Sequence, residues 1–397
     1  MAPSTAMREA VATSPIPSGS TPGVLGKRSR TVSAMGRVLL VTWDGGGNVP
    51  PAVALGTRLT DTGHDVAAYG PPSLAGRFEA DGLAFTARDV PDPWDTTAMA
   101  VDVAEHCARV EPDLVVVDYM LPGALCAAEA SRGATAALVH TLYGALLDGG
   151  DHPSPMAMAA SCDTVNQARA AIGLAPVDSM GALLDRAERV VVTSPAELDA
   201  PVDGLPGNVR YVGPVFEPAA SDAGWTPPPG DDPLVVVSLG TTPMDEVPVL
   251  QAILDGLAGA PVRVLVMCGG HLAEDDLSLP PNATRTGYVR HGAVLPHADL
   301  VIDHAGLGTV LATLAHGLPQ LCVPLGRDQP ANAAAVSRTG AGVVRVPSTA
   351  SDELGAAALD ALADRSMRAR AEELALAIGG PGAGDRAVAE LNALLTA

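Results

Sequence analysis

Short runs of apolar residues alternate with segments of helical spacing along most of the chain. Arg37 to Trp43 and Leu114 to Asp118 are apolar runs of strand length. Runs that are apolar throughout are typical of strands buried on both faces of a parallel sheet. Segments with helical periodicity, such as Thr97 to Val110, lie between them and predict the connecting helices. This part of the chain therefore predicts a doubly wound α/β domain.

The same alternation begins again after a stretch that is crowded with proline. Prolines recur between Gly213 and Asp232, which is typical of a linker. New apolar runs start at Leu234 and recur as far as Gly342, so a second doubly wound domain is predicted. The predicted boundaries are 1–34 for a disordered extension rich in Ser, Pro, Thr and Ala, 35–213 for the first domain, 214–233 for the linker, 234–375 for the second domain and 376–397 for a terminal helix.

The most informative stretch runs from Asp303 to Asn332 and reads DHAGLGTVLATLAHGLPQLCVPLGRDQPAN. An apolar strand ends at His304, and a turn of small residues then leads into a helix. The first N–H groups of a helix and its dipole favour a phosphate at such a turn. A second strand, Gln320 to Leu325, ends before a polar turn that contains Asp328 and Gln329. Since parallel strands end at one edge of the sheet, we expect a diphosphate at the first turn and neighbouring hydroxyl groups at the second.

This stretch resembles the donor-binding signature of nucleotide-sugar glycosyltransferases with the GT-B fold, the group that glycosylates small molecules. The residues that carry the resemblance are HAGLGT and GLPQLCVPLGRDQPANA, where more common forms read HHGGxGT and DQ. The resemblance extends over nearly all of the chain after Met35. It implies two Rossmann-like domains that face each other across a cleft, with the acceptor on the first and the donor on the second. It also implies that the last helix crosses back to the first domain.

The reaction implied by the resemblance is an inverting sugar transfer of the hexosyltransferase type. A base removes the acceptor proton, the acceptor attacks the anomeric carbon, and the nucleoside diphosphate leaves. We expect a dTDP- or UDP-sugar as donor and an apolar natural product, such as a polyketide aglycone, as acceptor. Tyr288 has two interpretations, a ring that stacks on the nucleobase or a core aromatic. The nucleotide and diphosphate candidates are Ser238, Gly240, Thr241, Thr242, Tyr288, Val289, His304, Gly306, Gly308 and Thr309, and the sugar candidates are Asp328 and Gln329.

The first domain departs from the family at the position of the catalytic base. Many relatives read G-H-x-x-P after the first strand, whereas this chain has Asn48 in place of that histidine. An amide cannot abstract a proton, although it can orient an acceptor through hydrogen bonds. Asp118 and His140 each end a predicted strand and are equal candidates for the base. Asp44, at the end of the first strand, ranks below them.

Three other functions remain open at this point. Asn48 favours a non-catalytic protein of the same fold that binds a ligand or assists a partner enzyme. A nicotinamide dehydrogenase is a second alternative, although the turn from Gly45 to Gly47 lacks the complete G-x-G-x-x-G pattern because position 50 is proline. The epimerases that share the fold are a third.

Composition restricts the partners and the compartment. A formal charge of −21 argues against binding nucleic acid or an anionic membrane surface. Five cysteines without a C-x-x-C pair predict reduced thiols and a cytoplasmic protein. No apolar run reaches the length of about 18 residues that spans a bilayer. No Asp-x-Asp pair ends a strand, so we expect neither a metal nor another cofactor; a homodimer is left open.

Overall fold

The computed structural model describes residues 35–88, 92, 94–147, 160–199, 204–217, 225–240, 243–268, 272–380 and 383–396. The extension predicted to be disordered, 1–34, lies outside these residues, as does part of the predicted linker, 218–224.

Within the described residues, seven parallel strands form the first sheet, in the order β3-β2-β1-β4-β5-β6-β7. Alternate residues of the first strand face opposite sides: Val38 and Leu40 pack in one core, Leu39 and Val41 in the other. Because both faces are covered by helices, the strand is apolar from Val38 to Val41. The strands are β1 (Arg37–Val41), β2 (Asp65–Gly70), β3 (Ala84–Ala87), β4 (Leu114–Asp118), β5 (Ala134–Val139), β6 (Arg189–Val192) and β7 (Val209–Tyr211).

Helices connect these strands on both faces of the sheet. α1 begins directly after Asn48, and prolines in its first turn suit this position because their missing N–H groups have no helical partner there. The helices are α1 (Val49–Asp61), α2 (Ala75–Ala80), α3 (Thr96–Val110), α4 (Pro122–Ala130), α5 (Tyr143–Leu147), α6 (Cys162–Ala171) and α7 (Met180–Leu184).

The second sheet, over the described part of the chain, has six parallel strands in the order β10-β9-β8-β11-β12-β13. The prediction of two doubly wound domains is therefore confirmed. The strands are β8 (Leu234–Ser238), β9 (Arg263–Met267), β10 (Ala283–Thr286), β11 (Leu300–Asp303), β12 (Gln320–Cys322) and β13 (Gly342–Val344). The helices are α8 (Val247–Leu257), α9 (His291–Val294), α10 (Leu307–Ala315), α11 (Gln329–Thr339), α12 (Ser351–Ala363), α13 (Arg365–Ile378) and α14 (Asp385–Leu395).

The end of the chain differs from the single helix predicted over 376–397. Gly379 and Gly380 adopt φ of 93° and 68°, and this left-handed pair ends α13. α14 then packs on the first sheet, where Val388 and Leu391 join the core beside α1. The chain therefore crosses back to the first domain through a glycine turn.

An apolar cluster joins the two domains at the carboxyl ends of their strands. Leu142 and Leu198 of the first domain pack in one cluster with Ala305, Leu307 and other residues of the second. Arg338 Nη2 also donates to the carbonyl oxygen of Leu198 at 2.6 Å. The segment that follows β5 is thereby held next to the turn between β11 and α10.

Three global properties bear on function. The five cysteines are free thiols, and all of them lie in the described part of the chain. Within that part, no helix combines the length and apolar character that a membrane span requires. The same residues contain no group of three or more His, Cys, Asp or Glu side chains able to hold a metal ion.

Candidate active site

The ends of three adjacent strands bring three polar side chains together in the first sheet. Asn48 lies in the turn after β1, Asp118 is the last residue of β4, and His140 directly follows β5. Parallel strands that are neighbours in a sheet end side by side. His140 Nε2 is 3.2 Å from Asp118 Oδ1, and Asn48 Nδ2 is 2.8 Å from Asp118 Oδ2. Both carboxylate oxygens of Asp118 are therefore engaged within this group.

Asn48 is 2% exposed and uses its amide inside the protein. Besides Asp118, its Nδ2 donates to the carbonyl oxygen of Trp43 at 2.8 Å, and its Oδ1 accepts from the N–H of Gly45 at 3.1 Å. An amide nitrogen has two hydrogens, and these bonds occupy both of them. The contacts of Asn48 favour holding Asp118 and the turn in place over the predicted orientation of an acceptor.

His140 and Asp118 form a pair suited to proton transfer. The His140 side chain is 12% exposed, and that of Asp118 is almost fully buried. Burial disfavours the imidazolium, whereas the carboxylate of Asp118 and, to a smaller extent, that of Asp328 favour it. The pKa of His140 is raised overall. When Nε2–H donates to Asp118, the lone pair on Nδ1 is left to accept a proton. The two equal candidates of the sequence thus lie within hydrogen-bonding distance of each other.

Asp44, the third predicted candidate for the base, lies apart from this pair. It is exposed, and its Oδ2 accepts a hydrogen bond of 2.8 Å from Ser73 Oγ. Among the described residues, no hydrogen bond joins Asp44 to Asp118, His140 or Asn48.

The predicted diphosphate turn lies between β11 and α10. Asp303 is fully buried, and its Oδ1 accepts the N–H of Ala305 at 2.7 Å. Ala305 has a φ of 62°, a left-handed conformation that is uncommon for alanine. Gly306 directly precedes α10, and because glycine has no side chain, no side-chain hydrogen bond caps this helix. The first N–H groups of α10, including those of Gly308 and Thr309 in its first helical turn, therefore suit an anion.

His304 packs against two glycines at this turn. A Cβ atom on Gly306 would lie 2.5 Å from His304 Nε2, and one on Gly240 would lie 3.0 Å from the same atom. The imidazole therefore occupies space that larger residues at these positions would fill. Burial lowers the pKa of His304, which favours the neutral ring in the free protein. Its Nδ1 is buried with no hydrogen-bond partner among the described residues, and the tautomer with hydrogen on Nε2 offers a donor at the turn.

The predicted sugar residues, Asp328 and Gln329, differ in what their side chains contact. Asp328 is half-buried at the start of α11, and its Oδ2 accepts from Asn332 Nδ2 at 2.9 Å. Gln329 is buried, and its Oε1 accepts the N–H groups of Leu325 and Gly326 at 2.7 and 3.0 Å. Asp328 therefore uses one carboxylate oxygen within the protein, whereas the Gln329 side chain binds the backbone of the turn.

The predicted residues after β8 lie next to the diphosphate turn. Ser238 is buried and pairs in register with Asp303 of the neighbouring strand. Gly240 adopts a φ of 98°, a conformation that favours glycine. Thr241 and Thr242 lie outside the described residues, so their predicted role stays a prediction.

Tyr288 and Val289 follow β10 at the edge of the second sheet. Tyr288 is 74% exposed, which excludes the core interpretation and leaves its ring accessible to a nucleobase. Val289 is half-buried and packs against an apolar cluster that includes Leu295.

Asn332 is a functional candidate that the sequence reasoning missed. It is 2% exposed and bonds to both polar turns of the second domain. The sequence contains a signal for the contact between Asp328 and Asn332. The two residues are four positions apart, and residues at this spacing lie on one face of a helix.

Comparisons with known proteins agree with this geometry. A family model described as a glycosyl transferase 4-like domain matches residues 46–214. A second one, described as erythromycin biosynthesis protein CIII-like, C-terminal domain, matches residues 251–383. The calicheamicin glycosyltransferase CalG4 superposes with a TM-score of 0.75 at 23% identity, covering 91% of this chain and 98% of that one. The glycosyltransferase VinC, in complex with dTDP, does so with a TM-score of 0.73 at 20% identity, covering 91% and 99%.

The chain has the GT-B fold, and in both of its domains it is similar to glycosyltransferases of natural-product biosynthesis. The resemblance read from HAGLGT is thereby confirmed. This GT-B chain is 36% identical over 116 residues to demethyllactenocin mycarosyltransferase of Streptomyces fradiae, covering 29% of this chain and 25% of the relative. It is 30% identical over 229 residues to a PGL/p-HBAD biosynthesis rhamnosyltransferase of Mycobacterium bovis, covering 57% and 50%. The GT-B chain thus spans a quarter to a half of the length of the curated relatives it matches.

Proposed function

We propose that this protein transfers a sugar, with inversion, from a dTDP- or UDP-sugar to an apolar natural-product acceptor such as a polyketide aglycone. The observation that carries the proposal is that the His140–Asp118 pair and the turn between β11 and α10 lie at the same domain junction. The cluster that contains Leu142 and Leu307 holds the segment after His140 against that turn. The carboxylate of Asp328 lies close enough to influence the pKa of His140.

On the acceptor side, His140 serves as the general base. For a hydroxyl acceptor, the O–H proton passes to Nδ1 of His140 as the oxygen forms its bond to the anomeric carbon. Asp118 accepts from Nε2–H, orients the ring and stabilises the imidazolium that forms. This arrangement replaces the histidine that relatives carry at the position of Asn48, and it favours an enzyme over the non-catalytic alternative.

On the donor side, the bond from the anomeric carbon to the diphosphate breaks, and its electron pair leaves with the phosphate oxygen. Donors fixed at that oxygen stabilise the developing charge. His304 Nε2 and the first N–H groups of α10 are the groups that suit this task. VinC, which shares the fold, binds dTDP in its crystal structure, and this supports a dTDP-sugar as the donor of this chain.

The surface beside the His–Asp pair supports an apolar acceptor. Trp43 follows β1 and packs edge-to-face against Trp94 at a ring distance of 5.0 Å. Trp94 is 41% exposed, and Met120, next to Asp118, is half-buried. Aromatic faces and a flexible thioether suit a large, irregular apolar ligand.

His304→Ala is expected to weaken the binding of dTDP and UDP by about 1.5–3 kcal/mol, the range for a hydrogen bond to a charged group. Gly306→Ala is expected to have the same effect, because its Cβ atom displaces the His304 ring. Isothermal titration of both single variants and the double variant measures this. Since both changes remove one contact, the double variant should lose no more than either single variant.

Gly76→Ala is the matched control for the glycine change, because a Cβ atom there meets open space in the first domain. Equal affinities for wild type and His304→Ala would remove His304 from the donor site. Additive losses in the double variant would mean that Gly306 acts independently of the imidazole.

The proposed activity is tested with purified protein, a set of dTDP- and UDP-sugars and a panel of polyketide aglycones, with detection of glycosylated product by mass spectrometry. We expect transfer from at least one dTDP-sugar, and none from the double variant that combines His304→Ala with His140→Ala under the same conditions. Tight nucleotide binding combined with no transfer from any donor would favour the non-catalytic alternative. An anomeric configuration retained in the product would contradict the inverting mechanism.

A further inference from the structure

Asn332 joins the two polar turns of the second domain through one side-chain amide. Its Nδ2 donates to Asp328 Oδ2 at 2.9 Å and to the carbonyl oxygen of Ala305 at 3.0 Å. The first acceptor belongs to the turn proposed to hold the sugar, and the second to the turn proposed to hold the diphosphate. Because Asn332 is 2% exposed, water does not compete strongly for these bonds.

The bond to Ala305 acts on a residue in an unfavourable conformation. Ala305 is fully buried with a φ of 62°, a conformation in which a residue with a Cβ atom is strained. Asp303 Oδ1 binds its N–H at 2.7 Å, and Asn332 binds its carbonyl oxygen. The two side chains hold this residue from both sides, and its conformation determines how His304 and Gly306 are presented.

The bond to Asp328 selects the orientation of its carboxylate. Asp328 is the residue before α11, yet its side chain does not cap that helix. Its Oδ2 is taken by Asn332, and within the described residues its Oδ1 accepts no hydrogen bond. Asn332 therefore leaves one oxygen of Asp328 for a ligand hydroxyl.

We propose that Asn332 is a positioning residue that couples the sugar end of the donor site to its diphosphate end. The inference rests on the proposed function and deepens it. A change in the orientation of Asp328 is transmitted through the Asn332 amide to Ala305 and so to the diphosphate turn. A sugar bound at Asp328 and a diphosphate bound at His304 therefore stabilise the same arrangement, and each strengthens the binding of the other.

The test compares the dissociation constants of dTDP and dTDP-glucose by isothermal titration. The dissociation constant of dTDP divided by that of dTDP-glucose measures how much the sugar adds to binding. In Asn332→Ala this ratio should fall about tenfold, which corresponds to the loss of one hydrogen bond to a charged group, although Asp328 is unchanged. Adding Asp328→Ala to Asn332→Ala should change the ratio little further, since the two residues act as one unit. Asn332→Ser, which keeps a single donor hydrogen, should fall between wild type and Asn332→Ala and serves if the alanine variant does not fold.

Asn282→Ala is the matched control for a purely structural asparagine. Asn282 Nδ2 binds the carbonyl oxygens of Leu257 and Val262, away from both turns in the same domain. The Asn282→Ala variant should have a lower melting temperature than wild type and the same ratio of dissociation constants. The coupling is contradicted if the ratio is unchanged in the Asn332 variants, or if the effects of Asn332→Ala and Asp328→Ala on the ratio simply add. Either result would leave the proposed function intact. Failure of wild type to bind dTDP, UDP and their glucose derivatives would refute the proposed function and this inference with it.

Discussion

Replacing His140 by alanine is expected to lower the single-turnover rate of sugar transfer by about 10²- to 10⁴-fold, the usual contribution of a general base. In the proposed mechanism its Nδ1 is the proton acceptor, because Asn48 carries only an amide and Asp118 accepts the hydrogen bond from Nε2–H. The binding of dTDP should be unchanged, because His140 belongs to the first domain. Rapid-quench kinetics at saturating donor separates these two quantities.

The pH dependence gives an independent readout. Only neutral His140 accepts a proton, so the rate should fall as the pH falls through its pKa, which lies above the ordinary histidine value. The variant His140→Ala should lose this acid limb. In Asp118→Asn the limb should move to lower pH, because the carboxylate that favours the imidazolium is removed.

His316→Ala is the control for replacing a histidine, because His316 lies at the end of α10 and its Nδ1 contacts only the carbonyl oxygen of Ala312 among the described residues. If His140→Ala keeps the wild-type rate and acid limb, His140 is not the base. If the limb disappears in Asp118→Asn alone, Asp118 itself is the proton acceptor.

Leu198→Ala is expected to lower the free energy of unfolding by about 2–5 kcal/mol, the range for removing a buried leucine side chain. Leu198 is fully buried in the cluster that joins the domains, although it comes from a short turn, Ala196–Leu198. The cavity would lie behind the diphosphate turn, so the affinity for dTDP should fall as well. Urea denaturation followed by circular dichroism measures the first effect, and titration the second.

Leu376→Ala is the matched control, because Leu376 is 84% exposed on α13. Its free energy of unfolding should stay within about 0.5 kcal/mol of wild type. A loss below about 1 kcal/mol in Leu198→Ala would show that the domain junction tolerates the cavity and that the cluster contributes little to the fold.

The amino-acid sequence by itself determined the secondary-structure elements and the turn of small residues that follows β11. Strands such as β4 are apolar from Leu114 to Val117 because both faces of the sheet are covered, and that pattern is local. The small residues after His304 mark a strand–turn–helix unit for the same reason, since turn geometry depends on adjacent residues. Both sheets and the phosphate-type turn were therefore predictable without the structure.

Only the tertiary structure decided which side chains meet at the site. His140 and Asp118 are 22 residues apart, and they pair because β4 and β5 are neighbours in the sheet. Asn48 and Gln329 turn inward to bind backbone groups, although their positions in the sequence suggested contact with a ligand. Leu198 lies in a short turn of the first domain, and residues of the second domain pack against it. Strand order and side-chain direction arise from packing between distant segments, and no local pattern in the chain encodes them.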